Sequence, residues 1–133
     1  MGSTLTVRRL RELRLSIFLD ILFLMETKNK DEYVTKEFEG MGYSHIFTVP
    51  PQGLSGGLAL FWKKEVELEI LDSAINFIDA RITHKKVSSH VTFIYGAPQA
   101  ENRTAFWDRI SILGAQRSAA WLITGDFNDI LDN

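Results

Sequence analysis

The chain of 133 residues contains no cysteine, and only three prolines, Pro50, Pro51 and Pro98. The first absence excludes disulfide staples and thiolate metal sites, so any bound metal falls to carboxylates, amides, carbonyls and water, a donor set suited to magnesium or calcium. Prolines this scarce, with 45% hydrophobic and 24% charged residues, exclude a disordered or low-complexity chain. A basic balance is missing too: the net charge is −2, so composition gives no support to nucleic-acid binding, although a local patch remains open. No apolar run spans a bilayer. "LRLSIFLDILFLM" follows basic residues as a signal sequence does, but Asp20 interrupts it, and it reads as core. The three histidines, His45, His84 and His90, lack ligand spacing and are read as strand residues without a catalytic role.

Short address-like patterns carry little weight. "MGSTLT" fits a myristoylation site at Gly2, and "NRT" at Asn102 fits a glycosylation sequon. Neither changes the expectation of an intracellular protein, nuclear or cytoplasmic, without a membrane partner.

Periodicity divides the chain into elements. Leu10, Leu13 and Ile17, interleaved with Arg8, Arg9, Arg11 and Arg14, predict an amphipathic helix over about 4–16 with a solvated basic face. Residues 21–25 are all apolar, as in a strand covered on both faces, and Glu26 ends that run. "KDEYVTKEFEGMGY" suits a short helix, followed by "HIFTVP", a tight glycine-rich turn and "LALFWKK". The glycines of that turn do not form a phosphate loop, since no GK[ST] follows. Val66, Leu68 and Ile70 alternate with glutamates, the period of a strand with one wet face. "NFIDARITH" and "SSHVTFIYGAP" continue as hairpin-linked antiparallel strands. Phe106, Ile110 and Leu113 mark a helix that Gly114 can cap, and "AWLITGDFN" reads as a second strand apolar on both faces. One domain over residues 1–133, a mixed sheet with helices packed on it, is expected.

Glu26 and Asp126 each stand just past such an apolar strand. Ligands collect outside the carboxyl ends of strands, and if the two strands are neighbours the carboxylates converge. The plainer alternative makes each a turn residue, Glu26 opening a helix and Asp126 serving "GD" turn geometry. "GDFND" also suggests the acidic motif of haloacid dehalogenase-like phosphatases, but the paired aspartates those enzymes need after an early strand are missing here.

The ordered set "METK", "YGAP" and "GDFN" resembles the endonuclease/exonuclease/phosphatase superfamily, the DNase I-like fold. "DILFLMETKNKDEY", "GLSGGLALFWK", "VTFIYGAP", "FWD" and "WLITGDFNDIL" bring the resemblance closest to the endonuclease domain of plant LINE-type non-LTR retrotransposons, over about residues 5–133. The resemblance implies an α/β (α+β) fold, a partial DNase I-like α/β sandwich with a mixed, mostly antiparallel sheet and flanking helices. It implies Mg2+, with Mn2+ as an alternative, held by Glu26. Asp126 would orient or deprotonate the attacking water, Asn128 would contact the scissile phosphate, and Tyr95 would stand near it. DNA or another phosphodiester is the implied partner.

The family's initiating strand with its asparagine, and its second half ending in an aspartate–histidine motif, have no counterpart among these residues. The expectation is therefore a truncated domain, weakly active or inactive alone, which self-associates through an exposed apolar sheet face. A retrotransposon-derived remnant that serves as a binding module, or has no function, is the alternative from another class.

Overall fold

The computed structural model describes residues 20–25, 27, 36, 42–52, 56–96 and 100–127. The chain divides into two compact units, Met1–Glu67 and Leu68–Asn133. The helix expected over 4–16, with its arginines, lies outside the described residues. So does nearly all of the helix expected over 30–43, of which Lys36 is helical.

In the first unit three strands form an antiparallel sheet of order β1-β3-β2: β1 (Ile21–Met25), β2 (His45–Val49) and β3 (Leu58–Trp62). The covered strand is β3, all five of whose residues are buried. "LALFW" has no polar residue because it lies between two neighbours and has apolar side chains on both faces. The β1 strand differs from expectation. Leu22 and Leu24 are buried, while Ile21, Phe23 and Met25 are only half-buried, since among the described residues β1 pairs on one side alone, with β3. Register places Leu22 opposite Phe61 and Leu24 opposite Ala59, and these four form one cluster with Tyr43 and Ile46 against it. Each such large side chain contributes about 1.5–3 kcal/mol by leaving water. His45 stacks on its register partner Trp62, ring centroids 5.3 Å apart.

The second unit is a four-stranded sheet of order β4-β5-β6-β7: β4 (Glu67–Ala74), β5 (Phe77–His84), β6 (Val87–Tyr95) and β7 (Trp121–Asp126). The glutamates of β4 are exposed while Leu68 and Ile70 are half-buried, as the alternation predicts. β5 and β6 form an antiparallel hairpin running from Phe77↔Ile94 to His84↔Val87. Helix α1 (Ala100–Ala115) then carries the chain back, so that β7 joins β6 in parallel. A parallel neighbour requires such a crossover, since a tight turn can only reverse direction. The protein is thus α+β with two mostly antiparallel sheets, one of them mixed, as expected of a partial DNase I-like sandwich.

Alternation decides which residues face the helix. Phe77, Ile94 and the α1 residues Phe106 and Ile110 form a buried cluster, with Trp107, Leu113, Trp121 and Ile123 packed against it. The opposite face carries Ile78, Ala80, Val91 and Phe93, all buried. β7 is the second correction: among the described residues it is the last strand of its sheet, Trp121 and Ile123 are half-buried, and Leu122 is 60% exposed. Gly114 also differs from its expected part as a helix cap. A Cβ there would collide with the Trp121 indole, so its smallness makes room for that ring.

Candidate active site

The parallel pairing of β6 and β7 ends at Tyr95↔Asp126, so the two are direct register partners at the carboxyl ends of their strands. Register partners share a face of the sheet. Tyr95 and Asp126 therefore stand on the face opposite α1, in line with Phe93 and Thr124. Asp126 is exposed and Tyr95 half-buried, an arrangement that can present a carboxylate and a phenol side by side to a ligand.

Two motif glycines make this closeness sterically possible. A Cβ on Gly96 would collide with the Phe127 carbonyl, and one on Gly125 with the Ile94 carbonyl. Gly125 also has φ of +132°, a conformation that residues with a side chain rarely adopt. With both Cβ atoms absent the backbones close, and the Gly96 N–H donates to the Asp126 carbonyl at 2.6 Å.

The other side of Tyr95 is held by Asn76, in the turn between β4 and β5. The Tyr95 N–H donates to the Asn76 carbonyl at 2.8 Å, and Asn76 Nδ2 donates to the Tyr95 carbonyl at 3.1 Å. β5 begins at Phe77, so the side-chain amide supplies a donor where the strand's own backbone ends. Asn76 was not singled out from the sequence, because nothing local distinguishes it from any turn asparagine.

A second polar arrangement lies on the α1 face. Asp79 and Arg117, 1% and 7% exposed, are paired. Thr92 Oγ1 donates to Asp79 Oδ1 at 2.7 Å and accepts from Trp121 Nε1 at 2.8 Å, while the Arg117 guanidinium lies 5.0 Å over the Trp121 ring. This network joins β5, β6, β7 and the segment after α1, and it is structural rather than part of the Tyr95–Asp126 rim. Near it His90 is half-buried, and its buried Nδ1 has no hydrogen-bond partner among the described residues. Burial, then Arg117 and Arg81, push its pKa below the ordinary value, against the opposing pull of Asp79.

Of the residues singled out from the sequence, Tyr95 and Asp126 are brought together, while Glu26 and Asn128 lie outside the described residues. β1, before Glu26, and β7, which ends at Asp126, belong to different sheets. Among the described residues no three His, Asp or Glu gather into a group able to hold a metal. The donor chemistry at the rim, one exposed carboxylate and a phenol without sulfur, fits a hard divalent cation that keeps most of its waters.

The model of the endonuclease/exonuclease/phosphatase family matches residues 2–133. The chain belongs to that family. Solved structures of the same fold include the endonuclease domain of TRAS1, a telomere-specific non-LTR retrotransposon, at TM-score 0.71 and 14% identity, covering 96% of this chain and 57% of that one. Truncated Caenorhabditis elegans TDP2 gives TM-score 0.65 and 18% identity, covering 97% of this chain and 57% of the other. The 3′ phosphatase NExo (D146N) from Neisseria, bound to product DNA hairpin, gives 0.65 and 19%, with 94% and 53% covered. At these identities the likeness is one of fold. The chain spans a little over half the length of each of these structures. No curated protein sequence matches it.

As a member of this family the chain has the scaffold of phosphodiester and phosphate-ester hydrolases, and the Tyr95–Asp126 pair occupies the "YGAP" and "GDFN" motifs that first suggested it. Among the described residues no helix is long and apolar enough to cross a membrane.

Proposed function

We propose that the chain is the part of a divalent-metal-dependent nucleic-acid phosphodiesterase that carries the water-activating side of the active site. One observation carries this reading: Asp126 and Tyr95 stand as register partners where β6 and β7 end. A phosphodiester is an anion that repels its nucleophile, so hydrolysis needs a base for the water, donors on the phosphate and a cation for the developing charge. In this reading Asp126 takes the proton from the attacking water as its oxygen bonds to phosphorus. The ester P–O bond breaks opposite, and the leaving oxygen takes a proton from solvent water. Tyr95 and Asn128 donate hydrogen bonds to the phosphate, fixing it in line. Mg2+, or Mn2+, when bound at Glu26 would neutralise charge on the phosphate oxygens.

DNA as substrate is supported by fold neighbours, among them Danio rerio TDP2 complexed with single-strand DNA product and NExo with its DNA hairpin. TRAS1 supports an origin in a LINE-type element. The histidine that the resemblance assigns to the transition state has no motif counterpart at His45, His84 or His90. The 133 residues alone are therefore proposed to turn over slowly, and to self-associate through an exposed apolar sheet face.

The deciding assay is cleavage of supercoiled plasmid and of an abasic duplex in Mg2+ against chelator, with Asp126→Asn and Glu26→Gln beside the unaltered chain. Loss of a general base costs about 10²–10⁴-fold, so any cleavage seen should fall by that factor in Asp126→Asn. Cleavage that persists in chelator or in Asp126→Asn would end the proposal. Salt-sensitive DNA binding with no cleavage under any condition selects the non-catalytic binding module instead.

A further inference from the structure

We infer that Trp107 of α1 is a positioning residue for Asp126, acting through Phe127. The Tyr95↔Asp126 pair is the last of the ladder, so the peptide that follows Asp126 has no further strand register to hold it. Two contacts replace that register. On the β6 side the Gly96 N–H holds the Asp126 carbonyl at 2.6 Å, and the Phe127 carbonyl lies where a Gly96 Cβ would be. On the helix side the Phe127 ring stacks on Trp107, centroids 5.7 Å apart and planes within 7°. Trp107 is itself braced edge-on by Phe106, at 5.1 Å and 64°.

Strand alternation gives this stack its consequence. Phe127 points to the α1 face, as Trp121 and Ile123 do, which sends Asp126 to the opposite face with Tyr95. Phe127 is still 36% exposed, so burial alone does not account for its fixed place. Flat stacking on an indole limits rotation of the ring and hence of the peptide joining it to Asp126. The direction of the Asp126 carboxylate is thus set from an element nineteen residues earlier in sequence, on the other side of the sheet.

The inference rests on the reading of Asp126 as the water-activating group, but its geometry can be tested separately. Residue-resolved amide exchange on the full chain is compared for the native protein, Trp107→Leu and the ring-retaining Trp107→Phe. Phe127→Leu removes the stack from the other partner at a partly exposed position, and so serves if Trp107→Leu does not fold. Losing a stacked aromatic pair should lower protection of the Gly96 amide about 3- to 10-fold, with Ile78 and Ala80 unchanged and Trp107→Phe restoring it. Gly96 protection within twofold of native in the variants, or an equal loss at Ile78 and Ala80, overturns the inference. Where the native chain cleaves DNA in Mg2+, Trp107→Leu should lower kcat by a similar factor with KM within twofold, and Trp107→Phe should recover it. A change in KM alone also overturns it. A native chain without cleavage sinks the catalytic reading and leaves amide exchange to decide the position of Asp126.

Discussion

Gly96 and Phe127 touch backbone to backbone: the place of a Cβ on the first is taken by the carbonyl of the second. The same holds for Gly125 and the Ile94 carbonyl, so the two strand ends meet through two glycines that admit no side chain.

Alanine at either position should therefore be costly. Overpacking against backbone costs about 1–3 kcal/mol, and Gly125→Ala adds the strain of its φ, about 1–3 kcal/mol more. Chemical denaturation should show both losses, the larger at Gly125. A Gly125→Ala protein of native stability would mean the strands do not approach as described.

Arg117→Ala leaves the Asp79 carboxylate buried without its cation, which typically costs about 3–5 kcal/mol. Joint replacement of Asp79 and Arg117 by Leu and Met should recover most of that loss, since two apolar groups leave no buried charge. A double-mutant cycle in urea measures the coupling, and strict additivity would show that the pair is not formed.

His90 links stability to pH. Its pKa in the folded chain lies below the ordinary value of about 6.5, so the unfolded chain binds more protons between the two. Its contribution is therefore full above about pH 6.5 and is lost as pH falls from there towards the folded-state pKa. Melting temperature should decline over that interval, and His90→Gln should flatten that part of the profile. An unchanged slope in His90→Gln would assign the decline to other groups.

Leu122 is the exposed apolar residue of β7, the last strand of its sheet among the described residues. Among the described residues β7 pairs on one side alone, and a sheet edge beside an apolar side chain invites another strand. Sedimentation at rising concentration should show association that Leu122→Lys reduces. A native chain that stays monomeric at all concentrations would remove β7 as an interface.

The legible parts of this protein are those in which neighbours in sequence are also neighbours in space. Val66, Leu68 and Ile70 against glutamates, the hairpin of β5 and β6, and the Phe106–Ile110 stripe of α1 follow from local periodicity. So do the "YGAP" and "GDFN" glycines, because the motifs keep the residues needed at a crowded strand end. Which strand would be enclosed was not legible. Residues 21–25 and 121–123 look as apolar as "LALFW", yet of these three stretches only β3 is buried throughout, since burial depends on lying between two partners. The same reason hid Asn76, Trp107 and the Asp79–Arg117 pair: each acts on a group 19 or more residues away. By itself the sequence determined element types, the family and the chemical identity of the rim, because these depend on side-chain pattern. Only the tertiary structure decided strand order, edges, and the meeting of Tyr95 with Asp126, because the parallel pairing that joins them needs a helix to bring the chain back.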